Sequence, residues 1–116
     1  MKSLSAVLLV AVGFVATGAQ AECAFPKAPA SMPDGKTATA DVMQAAAAEF
    51  KAYNDSVTAY GACLEDETKS KAGGMADGQI RQLKTIQVKK YNSAVDELQS
   101  KVAQFNEQVR AFKSRG

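Results

Sequence analysis

Apolar residues between Tyr91 and Phe112 recur at alternating steps of four and three, the spacing of one stripe along an α-helix. Its seven members are Tyr91, Val95, Leu98, Val102, Phe105, Val109 and Phe112. The positions between them are mostly polar and suit a solvated face. The spacing therefore predicts a long amphipathic helix whose stripe packs against a partner.

A second stripe upstream predicts that partner helix. Its members are Val42, Ala46, Phe50 or Glu49, Tyr53, Val57, Tyr60 and Leu64. Thr39 is a suitable N-cap, and Asp41 in the first turn complements the helix dipole. We expect the helix to last until about Lys71 and to end at Gly73-Gly74. Asp77 is expected to cap the helix that follows.

Two long helices joined by a short glycine-rich link predict an all-α fold, an antiparallel coiled-coil-like hairpin over residues 40–116. Residues 40–71 hold six acidic and three basic side chains, net −3, whereas residues 78–116 hold eight basic and three acidic ones, net +5. This opposite charge favours pairing of the two helices with each other, although each surface pair contributes little.

Residues 22–39 are predicted to form an extended strap, because Pro26, Pro29 and Pro33 interrupt any helix. Pro33-Asp34-Gly35 has the composition of a turn. The strap is long enough to run back along the first helix, where it can cover apolar surface that the hairpin leaves open.

Residues 1–21 have the three parts of a secretory signal peptide: a positive start, an apolar run, and the small residues of Ala19-Gln20-Ala21 at the cleavage site. The alternative is a membrane anchor, but the apolar run is shorter than the roughly 20 residues that span a bilayer. We expect cleavage, a periplasmic or secreted protein, and no integral membrane span afterwards.

Cys23 and Cys63 are the two cysteines of the sequence. In an exported chain they predict one disulfide. The alternative is a pair of free reactive thiols, which needs surroundings that stabilise a thiolate. The acidic run Glu65-Asp66-Glu67 does the opposite.

Candidate chemistry is limited, since the sequence contains no histidine. This excludes Ser-His-Asp triads, Cys-His pairs and the commonest metal ligand. The acidic run lacks the ligand spacing of a calcium loop, and the glycines of residues 73–78 lack the ending of a phosphate loop. We therefore expect no catalytic residues, metal or cofactor. Without Lys2 the chain carries 13 basic and 12 acidic residues, and this near-neutral charge predicts no nucleic-acid partner.

Several short motifs together resemble a family of small exported proteobacterial helical proteins of uncharacterised function. They are Cys23-Ala-Phe-Pro26-Lys-Ala-Pro29, Pro33-Asp34-Gly35, Tyr60-Gly-Ala-Cys63 and Phe105-Asn106-Glu-Gln-Val109-Arg110. The resemblance covers nearly all of the chain after residue 21. It implies a periplasmic or secreted helical protein with the same disulfide, and it brings no catalytic residues.

The function expected from these observations is that of a non-enzymatic exported envelope protein, a binding or assembly module. The alternatives are a small envelope enzyme that uses carboxylates and a helical protein that associates with the membrane surface. Ile86 and Val88 lie off the main stripe and are expected to form one interaction patch, for a homodimer or an envelope partner.

At the other end of the hairpin we expect a structural corner. If the turn is near Gly74, Arg110 lies opposite the start of the first helix. Arg110 is then expected to pair with Asp41 or Asp34, and Asn106 to bond the strap backbone.

Overall fold

Two antiparallel helices make up most of the computed structural model, which describes residues 22–115. Helix α1 spans Ala40–Ala72 and helix α2 spans Asp77–Lys113, and the described residues contain no strand. The turn between them includes Gly74 at φ 80°, a conformation that glycine adopts without steric cost. The predicted all-α hairpin is confirmed, while the predicted signal peptide lies outside the described residues.

Local hydrogen bonds explain where each helix begins. The Thr39 hydroxyl accepts the Val42 N–H at 3.2 Å, as predicted for an N-cap. The prediction for α2 was wrong by one residue, because the cap is Ala76 and Asp77 is already helical. Alanine has no side-chain acceptor for the first helical N–H groups, but the Gln79 side chain accepts the N–H of Ala76 itself at 3.3 Å, the reciprocal half of a capping box.

The core is a row of apolar side chains between the helices. Phe50 of α1 stacks on Phe105 of α2 with ring centroids 4.6 Å apart. The buried members are Met43, Ala46, Phe50, Tyr53, Val57, Tyr60, Leu64, Ala94 and Phe105. Val95, Leu98, Val102, Val109 and Phe112 of the predicted α2 stripe pack against this row and are partly buried.

Two members of the predicted stripes lie elsewhere. Val42 is 48% exposed and the adjacent Met43 is buried, since a start at Met43 continues the alternation of three and four down to Leu64. Tyr91 is 38% exposed, and Ala94 takes the core position at 1% exposure. The Tyr91 ring instead covers Gly61, where an added Cβ would lie 2.7 Å from Tyr91 Cε2.

The strap forms a third layer on the hairpin, as predicted. Cys23, Ala28, Met32 and Ala38 pack against the core, and Pro26 is buried. The Phe25 ring meets the Tyr60 ring edge-on with centroids 5.5 Å apart. The Cys23–Cys63 disulfide closes this layer, with the two Cα atoms 5.8 Å apart.

Candidate binding surface at the hairpin tip

The disulfide divides the hairpin into two halves. The buried residues of α1 end at Leu64, and those of α2 begin at Ala94. We call residues 65–90 the tip half, and the opposite end, where α1 begins and α2 ends, the base. The tip half contains no buried residue, and the described strap, which covers the base half, reaches only to Cys23, bonded to Cys63. The uncovered half is therefore the candidate functional surface.

A groove runs between the helices of the tip half. Leu64, Leu83 and Ile86 are its apolar residues, and Ile86 is 49% exposed. Its lining, which we call the tip groove, comprises Leu64, Glu67, Thr68, Lys71, Leu83, Ile86, Gln87 and Lys90. Glu67 and Lys71 also line the notch beside the disulfide, next to Cys23 and Cys63. The tip groove therefore adjoins the end of the strap.

Val88 lies in a different groove. That second groove is lined by Thr58, Gly61, Ala62, Glu65, Gln87, Val88, Tyr91 and Asn92. Positions two apart on a helix point in nearly opposite directions, so Ile86 and Val88 belong to opposite flanks of the hairpin. The two residues are exposed, as expected, but the expectation that they form one patch was wrong.

Charged side chains form the rim of the tip groove. Lys71 Nζ lies 2.6 Å from Glu67 Oε1, and the Glu67 side chain is only 17% exposed. The hydrogen bond from Lys71 lowers the pKa of Glu67, with a further contribution from the charge of Lys90. The same hydrogen bond raises the pKa of Lys71. Because both shifts favour the ionised forms, this part of the rim carries a fixed ion pair at neutral pH.

At the base, the predicted corner residues do not make the predicted bonds. Within residues 22–115 Arg110 pairs with neither Asp34 nor Asp41, and Asn106 makes no side-chain bond to the strap. Positions 106 and 110 point away from the strap, whereas positions 108, 112 and 115 share the face that meets it. The prediction of this corner was wrong for that reason.

Gln108 and Arg115 make the strap contacts instead. The Gly35 N–H donates to Gln108 Oε1 at 2.9 Å. Arg115 Nη1 donates to the carbonyl oxygens of Gly35 at 3.2 Å and Ala38 at 2.6 Å, and its guanidinium lies 5.2 Å from the centre of the Phe112 ring. The four-and-three spacing of 108, 112 and 115 is the sequence signal that identifies this face.

The residues of the tip groove suit non-covalent binding. Within residues 22–115 no three His, Cys, Asp or Glu side chains are placed so that they could hold a metal ion, and the two cysteines are joined in the disulfide. Neither helix of residues 22–115 has an apolar stretch long enough to cross a bilayer. The apolar floor and charged rim of the tip groove can bind a macromolecule by burial of apolar surface and by ion pairing. Comparison of the whole chain with protein-family models, curated proteins and solved structures gives no match.

Proposed function

We propose that this chain is an exported, non-enzymatic protein of the cell envelope that acts as a binding or assembly module through its tip groove. The observation that carries the proposal is that the described strap, residues 22–39, reaches only as far as the Cys23–Cys63 disulfide. Beyond the disulfide no other part of residues 22–115 covers the apolar floor, where Ile86 is exposed and Leu83 is half-buried. An exposed apolar groove with a polar rim is typical of a surface that binds another molecule.

Export is supported by the disulfide, which attaches the N-terminal end of the strap to α1. Disulfides persist in oxidising compartments, and the strap depends on this one at its N-terminal end. Fractionation followed by intact-mass measurement tests export. We expect a periplasmic or secreted species that begins at Glu22 and is about 2 Da lighter than its reduced form, since each S–S bond removes two hydrogens. A cytoplasmic species with two alkylatable thiols would contradict export.

A non-enzymatic role is proposed because the sequence contains no histidine, and the pKa shifts in the described residues have structural causes. Burial in the core, then the charge of Glu97, raises the pKa of Tyr53. The shifts of Glu67 and Lys71 arise from their mutual hydrogen bond. Packing and an intrahelical pair thus account for these groups without a substrate.

Capture from envelope extract tests the binding role, with one matched pair of variants. Ile86→Lys places a charge in the tip groove, and Val88→Lys places the same charge on the opposite flank, at 54% exposure. We expect the native chain and the Val88 variant to retain the same bound protein, and the Ile86 variant to lose it. Equal retention by all three would contradict a binding role for this groove, and so would a native chain that retains neither an envelope protein nor a second copy of itself.

A further inference from the structure

We propose that the occupant of the tip groove is a second copy of this chain, related by a two-fold axis. The tip halves overlap in this arrangement and the bases point in opposite directions. The inference rests on the proposed binding role and names the partner of that surface. Four arguments carry it: the kind of occupant the groove accepts, the self-complementary apolar floor, the thickness of the strap, and the order of charges along the rim.

The groove offers side chains only, because the backbone groups of two helices are bonded internally. An occupant must therefore satisfy its own backbone groups. A helix does so along its whole length. The chain itself presents a pair of helices with Leu83 and Ile86 facing outward from the tip half. Two such faces joined by a two-fold axis bury each other and form a four-helix layer. A two-fold dimer is the commonest closed assembly of identical chains.

The strap decides the orientation. It lies as an extra layer between the base and Cys63, and the tip groove follows directly beyond it. Two hairpins stacked with their tips together would bring strap against strap and hold the grooves apart. With one hairpin reversed, only the tip halves meet. The overlap along α2, residues 77–90, is then about 21 Å long.

The order of charges on and beside the rim agrees with the reversed arrangement. On α1, Asp66 of the adjoining notch and Glu67 of the tip groove precede Lys71, which lies nearer the tip. Reversal brings Lys71 of each copy towards Asp66 and Glu67 of the other. On α2 it brings Lys90 of the rim towards Asp77, the first residue of the helix, which lies outside the groove. Neither ion pair of the described residues involves Asp66 or Lys90. Such rim contacts select the orientation more than they raise the affinity.

Sedimentation equilibrium of the exported, oxidised protein tests the dimer. We expect a monomer–dimer equilibrium in the micromolar range. Ile86→Lys should raise the dimer Kd by about 100-fold, the effect of losing a central apolar contact. Val88→Lys should leave the Kd unchanged. Since Ile86 and Val88 are both exposed, circular dichroism should show the same helicity for both variants, and Ile86→Gln offers a milder change if the lysine alters it.

Small-angle scattering tests the orientation, since a reversed dimer is about 90 Å long and a dimer stacked side by side with its tips together is about 55 Å long. A monomer throughout, a dimer indifferent to Ile86→Lys, or a dimer of the shorter length would overturn the inference. A monomer that captures an envelope protein through Ile86 would overturn only the inference and leave the proposed function standing. A monomer that captures nothing would overturn both.

Discussion

Gly35 of the strap and Gln108 of α2 are in direct backbone contact. A Cβ at position 35 would overlap the Gln108 carbonyl oxygen and would lie 2.9 Å from the backbone nitrogen of Phe112. The strap is therefore tied at two places. One is the close approach of Gly35 at the base, and the other is the Cys23–Cys63 disulfide at the middle of the hairpin.

We expect Gly35→Ala to destabilise the protein by about 1–3 kcal/mol, because the obstructing atoms belong to helix backbone and cannot rotate away. Chemical denaturation measures the loss, and faster proteolysis after Lys27 and Lys36 reports release of the strap. Gly78→Ala is the matched control. An added Cβ meets nothing within 4 Å there, and helical alanine should be neutral or stabilising. Equal stability of the native chain and Gly35→Ala would contradict the close packing.

Arg115 and Arg110 provide a second comparison at the base. Arg115→Ala removes two hydrogen bonds to strap carbonyls, and we expect a loss of about 1 kcal/mol. Arg110→Ala should change the unfolding free energy by less, since its side chain makes no bond to the strap. A double-mutant cycle of Arg110 with Asp41 should give a coupling near zero. If the two single variants were equally destabilised, the assignment of Arg115 to the strap would fail.

The fold could be predicted from the sequence because its signals are local and periodic. Thr39 has a capping side chain, and the row from Ala46 to Leu64 keeps the helical spacing, so α1 is specified residue by residue. The failures occur where neighbouring elements decide. Ala94 is small enough for the helices to approach and is more buried than the large Tyr91, which periodicity alone cannot distinguish.

The candidate surface was only partly predictable. Exposure of Ile86 and Val88 followed from their place off the stripe, but their separation into two grooves follows from the helical angle between them. The base contacts required the exact rotation of the last turns of α2. Its charge made Arg110 the predicted partner of an aspartate, but the residues that face the strap are Gln108 and Arg115. They bond to backbone N–H and carbonyl groups of the strap, which the sequence pattern does not reveal.

Removal of the disulfide should free the N-terminal end of the strap. The double variant Cys23→Ser with Cys63→Ser opens a loop of sequence separation 40, and the chain-entropy model gives a loss of roughly 4 kcal/mol. We expect a lower Tm and cleavage after Lys27 under conditions that leave the native chain intact. Ala62→Ser, at an exposed neighbouring position, controls for the change to serine. An unchanged Tm in the double variant would mean that packing alone holds the strap.

The Glu67–Lys71 pair predicts a defined pH dependence of stability. Its hydrogen bond holds the pKa of Glu67 below the ordinary 4.5. The contribution of this carboxylate is therefore present above the unfolded pKa and is lost as the pH falls through the lower folded pKa. The pKa of Lys71 is raised above 10.5, so its contribution is present below the unfolded pKa and is lost as the pH rises through the folded one.

Glu67→Gln should therefore lower the Tm by about 2 °C at neutral pH, the size of an intrahelical pair, and this difference should vanish in acid below the ordinary range of glutamate. Glu65→Gln is the matched control. Its pair with Lys69 is longer, at 3.2 Å, and both side chains are more than half exposed, so solvent screening should leave a smaller difference. Thermal unfolding from neutral to acidic pH measures both variants. If the Tm difference between Glu67→Gln and the native chain persisted in acid, its cause would be packing of the amide and not charge. If Glu67→Gln and Glu65→Gln lowered the Tm equally, the partial burial of Glu67 would contribute nothing.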